Sequence, residues 1–276
     1  MPFVTNGEMS IHYEVAGRGP VLVLVHGVGS SGEVWRRNGY VEALAPSFTV
    51  VTVDQRGHGE SSPVVDASEL GFDRRGADIE AVLDAVGAER VILFGFSLGG
   101  VVSTFYAGGH PERVAALIAA AANPMGPWTN RRLAFRDASL RGRASRAIAY
   151  GRFQLGRVRR RIFGSGHHRP PRELMPEFQR RLAAGDRSLL GGVTTLEGLR
   201  EALRMPALFF QGERDGTFAV ELTRAFAESL PDARFVAIAG VDHQLLQRPE
   251  LVLPIVRPFL DEVRDRATVA SPREDG

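Results

Sequence analysis

The sequence predicts an α/β protein: a mostly parallel, eight-stranded sheet with helices on both faces and an inserted Arg-rich helical segment. Three observations carry this. Short unbroken apolar runs such as Val21–Val25 and Val91–Phe94 alternate with helical patterns, as expected where helices cover both faces of a sheet. Midway along the chain, the passage RVILFGFSLGGV (90–101) reads as a buried strand, a tight turn and a helix. The alternation then breaks between Asn123 and Met205, where helical Arg-rich stretches meet punctuation such as Gly164–Gly166 and Pro170-Pro171. So long a departure inside an α/β domain is usually an inserted functional element.

In order along the chain, Phe3–Thr5 and Met9–Val15 flank Asn6-Gly7, a strong hairpin signal. Val21–Val25 and Phe48–Val53 are apolar strands separated by a helical stretch over Val34–Leu44 that ends near Pro46. Arg74–Val86 is helical, with Ile79, Val82, Leu83 and Val86 on one face. The Val91 strand, the helix after Ser97 ending near Gly108, and the strand Val114–Ala120 follow. Beyond the insert come strand Ala207–Gln211, helix Phe218–Leu230, strand Arg234–Ala239 and helix Leu251–Arg264.

The 276 residues fit one large domain with an insertion, and 44% hydrophobic and 24% charged residues are ordinary for a globular protein. Cysteine is absent, which excludes disulfides and cysteine-built metal sites. All 34 basic residues are arginine, so lysine Schiff-base chemistry is excluded too. No 18-residue apolar run and no signal-peptide pattern is visible, and the expected location is the cytoplasm. A net charge of +2 hides an asymmetry: Trp128–Leu190 holds 16 arginines against Asp137, Glu173, Glu177 and Asp186, and the remainder of the chain is net acidic.

Gly95-Phe96-Ser97-Leu98-Gly99 is a G-x-S-x-G pentapeptide. A strand entering it and a helix leaving it make a nucleophile elbow, which holds the serine hydroxyl above the sheet edge. The Leu98 amide then faces any oxyanion forming beside Ser97, at a helix N-terminus that favours negative charge. In a chain with 31 glycines the pentapeptide arises by chance about once in five, so context must decide. A competing motif, Gly27-x-Gly29-x-x-Gly32, follows a strand, precedes a helix and has Asp54 ending the next strand, as a dinucleotide fingerprint would. That reading leaves the serine turn without a role. The alternative is that this loop supplies a second oxyanion donor, the amide of Val28.

A nucleophilic serine needs a base, and the base an orienting acid. Of the seven histidines, His243 lies just past the strand at Arg234–Ala239, where sites gather in parallel sheets. His12 lies in the hairpin, His26 and His58 sit in glycine-rich loops that suit packing or backbone hydrogen bonding, His110 lies at a helix end before Pro111, and His167-His168 fall in the insert without metal-ligand spacing. Asp215 lies past the strand Ala207–Gln211, with Glu213 and Asp242 as nearby rivals; the other position for an acid, past Ala120, holds Asn123.

Taken together, His26-Gly27, Asp54-Gln55-Arg56-Gly57-His58-Gly59-Glu60-Ser61, the Ser97 elbow, His110-Pro111-Glu112-Arg113-Val114, Asp215 and His243 stand in an order that resembles the α/β-hydrolase family over nearly the whole chain. The resemblance implies its fold, with the insert as a helical cap, and a division into core 1–123, cap 124–205, core 206–266 and a disordered tail 267–276. It places the chain with the serine-nucleophile, esterase- and lipase-like members rather than those with aspartate at the nucleophile position. Many members carry a proline shortly after the acid, whereas here the run is Gly216-Thr217-Phe218.

The expectation is a hydrolase of small or medium acyl substrates, foremost carboxylic esters, with Ser97, Asp215 and His243 as triad, Val28 and Leu98 as oxyanion donors, and no metal or organic cofactor. Lactone, thioester or carbon–carbon bond hydrolysis on the same triad, and a ligand receptor with slow turnover, are the alternatives. The substrate-binding residues are not legible. For the basic block the readings are a solvated cap, attraction of anionic substrates, or contact with an anionic membrane surface; nucleic acid binding is not expected.

Overall fold

The computed structural model describes residues 2–125, 174–184, 186–190, 192–193 and 195–269. Among them the strands are β1 (Phe3–Asn6), β2 (Met9–Ala16), β3 (Val21–Val25), β4 (Thr49–Val53), β5 (Ala88–Phe96), β6 (Val114–Ala120), β7 (Ala207–Gly212), β8 (Ala233–Ile238) and β9 (Thr268–Val269). The α-helices are α1 (Glu33–Arg37), α2 (Tyr40–Leu44), α3 (Phe72–Ala85), α4 (Leu98–Gly109), α5 (Leu174–Ala183), α6 (Leu196–Ala202), α7 (Val220–Glu228) and α8 (Pro249–Val263).

The sheet runs β1-β2-β4-β3-β5-β6-β7-β8, with β9 attached to β5 off that path. The hairpin β1–β2 and the pair β2–β4 are antiparallel; β4, β3, β5, β6, β7 and β8 are parallel. The predicted eight-stranded, mostly parallel sheet is thus present. Strand order reverses at β3, which has β4 on one side and β5 on the other. Ligand crevices in open α/β sheets form outside the carboxyl ends of strands at such a point. The ends of β3 and β5 carry the glycine-rich loop and Ser97.

Alternation along the strands explains the unbroken apolar runs. Val21, Val23, Val25, Val91 and Leu93 face one apolar layer, under α3 and α4. Leu22, Leu24, Ile92 and Phe94 face the other, under α1, α2 and α8. Both faces are dry, so no polar position interrupts the pattern. Leu174, Phe178, Leu189 and Leu199, from the described part of the predicted insertion, pack into the first layer. Phe178 meets Phe72 edge-on at 5.8 Å between ring centroids.

Two details differ from the sequence reading. The helix expected over Val34–Leu44 is two short helices, because Gly39 at φ 77° interrupts it. Thr268 and Val269, expected within the disordered tail, pair antiparallel with Arg90 and Ala88 of β5; residues 270–276 lie outside the described residues. Helix α8 contains Pro254 and Pro258. Both are exposed on its outer side, where the carbonyls they leave unpaired reach water. Most of the expected cap, 126–173, including His167 and His168, lies outside the described residues. No helix among the described residues is long and apolar enough to cross a membrane.

Candidate active site

The elbow is built by close approach. A Cβ on Gly95 would stand 2.3 Å from the Gly99 carbonyl oxygen, and one on Gly99 would stand 2.1 Å from that of Val25. Only glycine fits where β5, α4 and β3 cross this tightly. Ser97, between them, has φ 52° and ψ −119°, a conformation that costs free energy for a residue with a side chain. Its amide donates to the Ala120 carbonyl at 2.8 Å, and its carbonyl accepts from Val101 at 3.1 Å, so strand and helix both anchor it. Leu98 opens α4, with its amide in the unpaired first turn of the helix.

The structure brings Ser97, His243 and Asp215 together although 146 residues separate the serine from the histidine. Ser97 Oγ lies 2.9 Å from His243 Nε2, and His243 Nδ1 lies 2.9 Å from Asp215 Oδ2. A carboxylate only accepts, so Nδ1–H donates to Asp215 and Nε2 is left to accept from the Ser97 hydroxyl. The imidazole packs against the rings of Phe96 and Phe218, at 5.4 and 5.6 Å between centroids. Its side chain keeps 16% exposure, while that of Asp215 is fully buried.

The Asp215 carboxylate is saturated. Oδ1 accepts from the amides of Thr217 at 2.7 Å and Phe218 at 3.2 Å, and Oδ2 accepts from Gln211 Nε2 at 3.0 Å. A proline at 217 or 218 would delete one of these donors. Gln211, buried at the end of β7, was missed by sequence reasoning. The rivals stand apart, with Glu213 and Asp242 both exposed. Asn123 uses its Oδ1 to accept from the Met125 amide at 3.0 Å.

The glycine-rich loop after β3 lies against Ser97: a Cβ on Gly27 would stand 3.2 Å from that of Ser97. Val28 is half-exposed beside it. His26 is wholly buried. Its Nε2 accepts from the Gln55 amide at 3.0 Å, so its Nδ1–H donates to the Gly27 carbonyl at 2.7 Å. Burial lowers its pKa to about 4, which keeps the ring neutral.

Asp54 is not free to hold a ribose. Its Oδ1 accepts from the Gly32 amide at 2.6 Å, and its Oδ2 takes the Glu60 amide and His12 Nδ1, each at 2.9 Å. The carboxylate therefore ties the hairpin, the glycine-rich loop and the 54–61 turn into one unit, and the dinucleotide reading loses its acid. Arg56 makes a two-pronged pair with Asp78 at 2.7 Å on each prong. Among the described residues no group of three or more His, Cys, Asp or Glu is arranged to hold a metal ion.

Comparison with known proteins adds the context. Residues 20–246 match the family described as alpha/beta hydrolase fold. The chain is 31% identical over 242 residues to a pimeloyl-[acyl-carrier protein] methyl ester esterase of Vibrio campbellii, covering 82% of this chain and 88% of that protein. A relative of the same name in Chromobacterium violaceum is 30% identical over 256 residues, covering 85% and 91%. Among solved structures, an N-acyl homoserine lactone degrading enzyme superposes with a TM-score of 0.69 at 23% identity, covering 94% of this chain and all of that one; this likeness is one of fold.

Proposed function

The chain belongs to the alpha/beta hydrolase fold family and is an ester hydrolase, and we propose that it works through an acyl-enzyme on Ser97. The observation that carries this reading is the unbroken hydrogen-bond chain from Ser97 Oγ through His243 to Asp215. Ser97 Oγ attacks the ester carbonyl carbon while His243 Nε2 takes its proton. The oxyanion is met by the amides of Val28 and Leu98. The tetrahedral intermediate collapses, His243 protonates the departing alkoxide, and the acyl group stays on Ser97. A water then gives its proton to His243 and attacks the acyl carbon; the acid leaves and Ser97 regains its hydrogen. Asp215 holds the imidazole tautomer and stabilises the cation formed in each half.

The substrate class we place first is the methyl ester of a small or medium acyl chain, on the strength of the relatives' names. The Arg-rich block at 128–190 is assigned to drawing in acidic esters. A cytoplasmic setting is part of the same proposal, since a chain without cysteine requires no oxidising compartment.

The test combines a panel of methyl, p-nitrophenyl, thioester and lactone substrates with a fluorophosphonate probe. Methyl and p-nitrophenyl esters are expected to turn over, and the probe to label Ser97. Ser97→Ala is expected to lose about a millionfold in kcat with its melting temperature nearly unchanged. Retention of more than about a thousandth of the activity, or labelling elsewhere, overturns the nucleophile. Tight ligand binding with turnover below about one per minute would indicate a receptor instead.

A further inference from the structure

Beneath the glycine-rich loop lies a buried polar chain that the mechanism above does not use. Arg75, on α3, is 1% exposed. Its Nη1 donates to Gln55 Oε1 at 2.6 Å, and its Nε donates to the Leu70 carbonyl at 3.0 Å. Gln55 Nε2 in turn donates to the His26 carbonyl at 2.5 Å. A buried guanidinium is costly, and both of these hydrogen bonds go to neutral acceptors.

We propose that Gln55 and Arg75 are positioning residues that hold the oxyanion loop in its working orientation. The inference rests on the assignment of the Val28 amide as an oxyanion donor.

A carboxamide can face either way round, because its oxygen and nitrogen are nearly the same size. Arginine only donates. With Arg75 at one end, Gln55 must turn its oxygen toward the guanidinium, and its N–H then faces His26. The charge thus decides which end of a neutral group meets the loop. The effect passes along two successive peptides. Gln55 holds the carbonyl of the 26–27 unit, and the His26 ring holds the carbonyl of the 27–28 unit. Both units are trans, so each N–H points opposite its own carbonyl. Fixing the two carbonyls therefore fixes the direction of the Gly27 and Val28 N–H groups, in a loop whose Gly27 lies against Ser97. The Gln55 backbone completes the clamp, because its amide holds His26 Nε2 and so the tautomer that grips Gly27. The buried positive charge also disfavours protonation of His26, which would abolish that acceptor.

The experiment is Gln55→Glu. A carboxylate still accepts from Arg75 and turns the contact into an ion pair, but it cannot donate to the His26 carbonyl and repels it. A pair that only braces α3 against the loop would keep or gain stability and keep activity. The positioning role gives a melting temperature at or above that of the parent, kcat lower by about 10- to 100-fold, and KM within about twofold, since a misplaced oxyanion donor weakens the transition state and not substrate binding. Affinity for a trifluoromethyl ketone, whose hemiketal oxygen occupies the same place, falls by the same factor as kcat/KM. Turnover within threefold of the parent, or a raised KM with kcat unchanged, overturns the inference. Should Gln55→Glu fail to fold, Arg75→Met frees the carboxamide to turn; a fall in kcat with KM and fold retained supports the inference, and unchanged kcat overturns it. Ser97→Ala is run beside both. If it stays active, the proposed site itself is wrong; if it is dead while Gln55→Glu is normal, only the role of Gln55 and Arg75 falls.

Discussion

The elbow and the glycine-rich loop face each other across the same few ångströms and are held by opposite means. The elbow is fixed by exclusion. Gly95 and Gly99 lie where any side chain would strike backbone oxygens, and Ser97 is pressed into φ 52° between them. The loop is fixed by attraction. Asp54 and Gln55, distant in sequence, and the ring of the adjacent His26 grip its backbone through buried hydrogen bonds. A steric device has no protonation state and tolerates no added atom. A polar device tolerates small shape changes and fails when a donor or a proton is in the wrong place.

The same substitution in the two regions exposes the contrast most strongly. Gly99→Ala puts a Cβ 2.1 Å from the Val25 oxygen and 2.5 Å from the His26 oxygen. The expected cost is about 3–5 kcal/mol of stability, from overpacking against immovable backbone. Gly27→Ala meets the Phe96 ring at 3.0 Å and the Ser97 Cβ at 3.2 Å. Side chains can give way, so denaturant melts should find it within about 1.5 kcal/mol of the parent, with esterase rate carrying most of the damage. Equal stability losses in the two variants would erase the distinction.

Of the two devices, acid should act on the loop. His26 titrates near 4 in the fold and near 6.5 when unfolded. Below 6.5 the unfolded chain binds a proton that the native one refuses, so stability is complete above that pH and drains away as pH falls toward 4. The loss is on the order of 3 kcal/mol, read as a falling urea midpoint between pH 7 and 4.5. A flat midpoint over that range would mean that His26 is not the neutral clamp. Asp54→Asn comes next, at about 1–3 kcal/mol, because one carboxamide end must turn N–H groups toward the amides that Asp54 now accepts. Its melting temperature and kcat should drop together, whereas a stability loss with full activity would detach Asp54 from the site. The weakest effect belongs to the Arg-rich block. Replacing Arg159, Arg160 and Arg161 with Gln should flatten the salt dependence of kcat/KM for an acidic ester by a few-fold, and a neutral ester should respond little, because charge attraction is screened over about 8–10 Å. Equal salt responses for the two esters, and no binding to anionic liposomes at low salt, would leave the block only a solvated surface.

This contrast also explains what could be read from the chain alone. Sterics leave local marks: the glycines of Gly95-Phe96-Ser97-Leu98-Gly99 announce the elbow, and Asn38-Gly39 carried the signal for the break between α1 and α2. Alternating strands and helices gave the sheet, because both its faces are covered. Polar clamps leave no local mark. Asp54 suited a ribose as well as the Gly32 amide, and Gln211 and Gln55 have partners that only the fold brings near. Arg75 was legible in part. It falls in register with Ile79, Val82 and Leu83 on the buried face of α3, where an arginine has to be explained. The two-residue pairing of β9 with β5 was beyond reach, since Thr268-Val269 is too short to show a period.

That small strand has a bearing on how the protein is made. The strand that leads into Ser97 receives backbone partners from as far along the chain as residues 268 and 269, and the proposed base, His243, lies 146 positions downstream of the serine. On the ribosome, at about 5–20 residues per second, some 7–30 s pass between the emergence of Ser97 and that of His243. Throughout that interval the nascent chain holds Ser97 without the histidine proposed to activate it. On the proposed triad, a truncated translation product that stops before residue 243 carries the serine without its base and is inert toward the cell's esters.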